Sequence, residues 1–177
     1  MSQRVKASDH VMIFVASHGV LLDDGYRMVT SDYGGELSPA NTLSADELVD
    51  RSRRIPALSQ WLVFDTCHAD GLGSFFAGLY DARVQVMARQ SGMHVFAASN
   101  TTQEALDGYQ GNGLFTHTLL TGLGEPMPAD ANHDRKVTVS ELGRYAREQT
   151  RRIARSMDHA QDPLIVHQGE DRVIAQP

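Results

Sequence analysis

The sequence predicts an α/β sandwich of three layers, a mostly parallel sheet flanked by helices. Three observations carry this. Short apolar runs at residues 11–16, 61–64 and 93–98 each break off into small or polar residues. Such runs, rich in aromatic and β-branched side chains and bounded by turn residues, are the pattern of strands buried on both faces. Segments with helical signals alternate with these runs, and alternation of the two element types is the mark of α/β architecture.

In chain order, residues 1–9 are polar, and the first core strand covers 10–16. Asp23-Asp24-Gly25 precedes an alternating stretch and predicts a small hairpin within 21–32. Residues 33–43 are rich in Gly, Ser, Pro and Asn and predict a loop. Ser44-Ala-Asp-Glu47 has the spacing of a capping box, so a helix is expected over 45–54, with Pro56 marking its end. A second strand covers 61–66. Residues 73–80 suggest a helix, and 81–91 an amphipathic segment. The third strand covers 93–98, and 103–107 a short helix or turn. Leu114, Thr118, Leu119 and Leu123 fall at helical spacing, as do Leu142, Tyr145, Ala146 and Ile153 within a longer helix over 140–157. Residues 163–167 and 172–175 read as edge strands. There is no internal repeat.

The chain has 177 residues, the length of one domain able to bury its own core. Its net charge of −6, without a broad basic face, argues against nucleic acid as a partner. A single cysteine leaves no internal disulfide framework and suits a reducing compartment. No apolar run approaches membrane-spanning length, and residues 1–6 lack the apolar core of a leader. The expectation is therefore a cytoplasmic protein without a membrane partner.

The chemistry is concentrated at two strand ends. Cys67 follows the run 61–64 in Asp65-Thr66-Cys67-His68-Ala69-Asp70-Gly71. In an open α/β sheet, reactive groups sit just beyond the carboxyl ends of the strands. A thiolate is a strong nucleophile, but it needs a base or a positive field to form near neutral pH. His18, in Ser17-His18-Gly19, ends the run 11–16 in the same way. If the two strands are neighbours, His18 and Cys67 face each other over the edge of the sheet. Glycine at 19 lets a backbone N–H approach a substrate closely, and with the N–H of Cys67 it could form an oxyanion hole. A cysteine inside the apolar run would read instead as a buried structural thiol. Cys67 lies after the run, among polar residues.

These two motifs resemble those of the caspase-like cysteine peptidases, in particular the metacaspases and their bacterial relatives. The run Ala97-Ala-Ser-Asn100 and the segment from Gly113 to Gly122 extend the likeness over nearly the whole chain. The motifs depart at Ala16 and Ser17, where serine and glycine are usual, and by one extra residue before Gly71. The resemblance implies a His18/Cys67 dyad, a protein or peptide substrate and no required cofactor. It also implies that residues 1–177 are the later part of such a domain. The family has a strand, a helix and a further strand before its histidine strand. An edge left open there would be completed by an N-terminal segment or a companion chain.

Alternation places Asp65 on the face of Cys67, where its carboxylate could pair with a substrate cation. The resemblance gives it that role, with cleavage after Arg or Lys. The other reading is an aspartate that fixes loop backbone through hydrogen bonds. Within an acidic segment at 126–142, Asp130, Asn132, Asp134, Lys136 (through its carbonyl), Thr138 and Glu141 have the spacing of an EF-hand-like calcium loop. Arg135 stands where glycine is expected, so an Asx-rich turn before a helix is the competing reading. A zinc site drawn from His18, Cys67, His68 or His94 lacks ligand spacing. The rival to an enzyme is an inactive caspase-like module used for binding or assembly.

Overall fold

The computed structural model describes residues 4–22, 25–67, 93–99 and 103–177. The segments expected over 73–80 and 81–91 lie outside these, as does His68. Strand β1 is His10–Leu22, β2 is Gly25–Val29, and the short β3 is Thr42–Ser44. Helix α1 is Ala45–Arg53. Strands β4, Ser59–Cys67, and β5, Met93–Ala97, follow. Helix α2 is Leu114–Leu123, β6 is Val137–Thr138, and α3 is Val139–Ser156. Strands β7, Leu164–Val166, and β8, Val173–Ala175, close the chain.

The main sheet has the order β3-β2-β1-β4-β5-β7. Its centre is parallel: β4 pairs with β1 on one side and β5 on the other. Strands β2, β3 and β7 are added antiparallel. Helix α1 covers one face, and α2 and α3 cover the other, giving the three layers. Side chains alternate across the sheet, so neighbouring residues of one strand serve different cores. Leu62 and Phe64 pack with Met28, Leu48 and Val95 on the α1 side. Val63 and Phe96 pack with Phe115, Leu119 and Leu142 on the other. Phe64, Phe96 and Phe115 are wholly buried. Burial of each contributes about 1.5–3 kcal/mol before entropy is counted.

Several boundaries differ from expectation for local reasons. β1 does not stop at residue 16. Residues 10–18 pair with β4, and residues 19–22 exchange that partner for β2. The Ser17 hydroxyl donates to the Val29 carbonyl at 2.6 Å and ties the two ladders together where they meet. The hairpin anticipated within 21–32 is the antiparallel pair β1–β2, with Leu22 opposite Gly25. The Ser44–Glu47 capping box is present and starts α1. β3 was hidden in the polar stretch 33–43 and the residue after it. Residues 103–107, expected as a short helix or turn, form no helix. They run irregularly, because the buried Gln161 amide accepts from the Leu106 N–H at 3.0 Å and donates to the Ala98 carbonyl at 2.9 Å. β7 is a true sheet edge, whereas β8 pairs with β6 in a separate two-stranded sheet. Helices α2 and α3 are joined by a buried hydrogen bond between the Thr118 and Thr150 hydroxyls, 2.9 Å apart. No helix among the described residues is long and apolar enough to cross a membrane.

Candidate active site

The carboxyl ends of β1 and β4 bring the predicted pair together. In the parallel ladder Ala16 stands opposite Asp65, Ser17 opposite Thr66, and His18 opposite Cys67. Adjacent strands lie about 4.8 Å apart, so the two backbones at 18 and 67 are immediate neighbours. Both residues lie within their strands, His18 four residues before the end of β1 and Cys67 at the end of β4. His18 is exposed to solvent. Gly19 is buried and paired with Met28 across the β1–β2 ladder.

A cleft of about 620 Å³ opens beside His18. Ala16 and Asp65 lie on its sheet side, and Tyr33, Asp107 and Gly113 complete its wall. The Asp65 carboxylate is tethered: its Oδ2 accepts from the backbone N–H of Thr116 at 3.1 Å and from the Thr116 hydroxyl. Thr116 lies in the first turn of α2, whose N-cap, Gly113, has no side chain to offer. Asp65 thus supplies from another strand the oxygen that a serine or aspartate cap would supply locally. Gly113 is required for this approach, since a Cβ there would sit 2.4 Å from Asp65 Oδ2. Burial raises the Asp65 carboxyl above its ordinary range; the Thr116 hydrogen bonds oppose the rise, and the nearby Asp107 carboxylate adds to it. Two carboxylates thus share one cleft. The structure gives Asp65 the hydrogen-bonding role weighed in the sequence and also places it on the cleft wall.

The family model described as the caspase domain, Peptidase C14, matches residues 1–169. The chain belongs to the caspase-domain family. It is similar in fold to protein GSU0716 of Geobacter sulfurreducens, solved by crystallography, at 16% identity and a TM-score of 0.59. That match covers 96% of this chain and 69% of the other. No curated protein matches.

Within this caspase domain, the acidic loop has its own backbone logic. Asp130 accepts from the N–H groups of Asp134 at 3.2 Å and Arg135 at 2.8 Å. Asn132 and Asp134 each accept from an N–H two residues on, at 2.9 Å. Arg135 takes φ 65°, the left-handed conformation for which glycine was expected. Glu141 accepts from Thr138 and Ala131 and closes the capping box of α3. Among the described residues no group of three or more His, Cys, Asp or Glu side chains is gathered to hold a metal ion. The hydrogen bonds of the loop are those of an Asx-rich turn. His94 sits on β5 at the position of Trp61, six residues before Cys67, at the opposite end of the sheet from His18.

Sequence reasoning missed four residues that shape the cleft. Thr116 tethers Asp65, Gly113 leaves room for it, Asp107 adds a second carboxylate, and Gln161 fixes the segment that carries Asp107. Only the glycine had a visible signal, in Gly111-Asn112-Gly113. The others depend on contacts made across 51 residues or more.

Proposed function

We propose that this chain is a cysteine endopeptidase that cuts after Arg or Lys, with Cys67 as nucleophile and His18 as its acid–base partner. The observation that carries the reading is the register of His18 with Cys67, the last pair of the parallel β1–β4 ladder. The Cys67 sulfur adds to the peptide carbonyl while its proton passes to His18. The N–H groups of Gly19 and Cys67 hold the oxyanion. His18 returns the proton to the leaving amine as the C–N bond breaks, and water then hydrolyses the thioester. The steps call for no organic cofactor. A substrate cation entering the cleft would meet Asp65 and Asp107. A buried carboxylate is costly to ionise alone and gains from a guanidinium fork, so Arg is favoured, Lys accepted and Asp repelled.

The second reading is an inactive module for binding or assembly. Its support is the flank of β1 over residues 10–16, where no strand pairs among the described residues. Further polypeptide, from an N-terminal segment or a companion chain, would complete the sheet there.

A peptide panel varied only at the residue before the scissile bond separates these readings. Arg and Lys should lead Leu and Asp. Asp65→Asn and Asp107→Asn should each lower kcat/KM on the Arg peptide about tenfold or more, with a smaller loss on Leu. An unchanged profile in both variants contradicts the specificity assignment, and no cleavage of any peptide favours the binding module.

A further inference from the structure

A second cavity lies at the other end of the sheet. It has a volume of about 290 Å³ and is enclosed by β1, the amino ends of β4 and β5, the start of α3, and β8. Trp61 and His94 form its sheet wall, with Met12 and Ile174 as apolar neighbours and His10 and Arg172 on its polar side. Trp61 is six residues before Cys67, roughly 20 Å along the strand, so this cavity is separate from the cleft beside His18.

Its wall contains polar atoms that the protein leaves unused. His94 is 1% exposed, and neither ring nitrogen makes a well-formed hydrogen bond, although the Glu170 backbone acts on the ring. The Trp61 indole Nε1 is buried and equally unpartnered. Buried polar atoms are almost always paired, so the unpartnered indole N–H and the weakly satisfied imidazole on one small cavity ask for an outside partner. The neighbouring side chains are engaged with one another: Arg172 pairs with the Glu170 carboxylate at 2.8 Å. His167 stacks on His94 with ring centroids 4.5 Å apart, and its own Nε2 faces Asp171 at 3.2 Å. Asp171 is engaged by the Ser140 N–H and hydroxyl, and Trp61 meets Phe96 edge to face at 5.1 Å. Burial, reinforced by His167, lowers His94 to about 4, so at neutral pH its ring offers one donor and one acceptor.

The chemistry of a fitting ligand follows from this inventory. Indole Nε1 only donates, neutral His94 donates once, and His10 and the guanidinium N–H groups of Arg172 not turned to Glu170 add donors at the side. No Asp or Glu lines the cavity among the described residues. The complement is an apolar body carrying acceptor oxygens with negative charge. We propose that this cavity is a binding site for a small apolar monocarboxylate, about the size of benzoate. The proposal is independent of the peptidase reading, since it uses none of the residues around His18 or Cys67.

Trp61 is the only tryptophan, so intrinsic fluorescence reports the site alone. The test titrates the 177-residue chain with benzoate and, separately, with the neutral benzyl alcohol. The expected result is a saturable change complete below about 10 mM benzoate, with a weaker response to the alcohol. His94→Phe keeps the ring stack and removes both nitrogens; Arg172→Gln removes the charge at a more exposed position. Each should weaken benzoate binding about tenfold or more. If His94→Phe fails to fold, the Arg172→Gln titration alone decides. No saturable response in the parent chain overturns the proposal. Equal affinity for the alcohol, or unchanged benzoate affinity in Arg172→Gln, overturns the carboxylate assignment.

Discussion

At the residue scale, Asp65 carries two demands at once. One oxygen is committed to the first turn of α2, and the same side chain forms part of the cleft wall. These roles can be separated. Thr116→Val removes the hydroxyl donor while leaving the carboxylate and the backbone N–H in place. It should lower stability by about 1–3 kcal/mol, the cost of a lost hydrogen bond to a partly buried charged group. Preference for Arg over Leu should survive. Chemical denaturation with the two-peptide comparison measures both quantities. Loss of the preference together with stability would mean that the tether, rather than the charge, sets specificity. The double role also explains what the sequence could convey. Asp65 and its face were legible from two-residue alternation with Cys67. Its partner was not, because Thr116 is an ordinary helix residue until the fold places it beside β4.

At the element scale, glycines let helices approach where larger residues would hold them away. A Cβ on Gly143 of α3 would meet Ile165 Cγ2 and Phe96 Cζ, both at 2.8 Å. Alanine normally favours a helix over glycine by roughly 0.5–1 kcal/mol. Here overpacking costs about 1–3 kcal/mol, so Gly143→Ala should destabilise on balance. A rise in its unfolding midpoint would show that β7 and α3 can separate at little cost. The helices themselves were legible, α2 to the residue and α3 within one at each end, because apolar spacing and the Ser44–Glu47 capping box act locally. The length of β1 was not, since it depends on an exchange of partner from β4 to β2. The acidic loop belongs to this scale as well. Its carboxylates satisfy backbone N–H groups within the turn, while its oxygen spacing remains that of a calcium loop. The calcium reading predicts heat and a higher unfolding midpoint at millimolar calcium. Calorimetry showing neither removes it.

At the scale of the whole molecule, the sheet order and the two cores follow from three apolar runs and their parallel pairing. Among the described residues, the flank of β1 over 10–16 pairs with no strand. Met12 and Phe14 remain 53% and 44% exposed on the strand that carries His18. An unpaired edge with apolar side chains invites association. The 177-residue chain should therefore show concentration-dependent association by light scattering, and Phe14→Lys should reduce it. A parent chain that is monomeric at all concentrations would mean the flank is protected. The register of His18 with Cys67 is the claim on which the functional account rests. Its most direct measurement is cleavage of an Arg-amide fluorogenic peptide by the parent chain, Cys67→Ala and His18→Ala, each checked for folding. The account predicts turnover in the parent and a fall in kcat/KM of at least about 100-fold in both variants, the scale of losing a nucleophile or its acid–base partner. Full turnover by folded Cys67→Ala would contradict it.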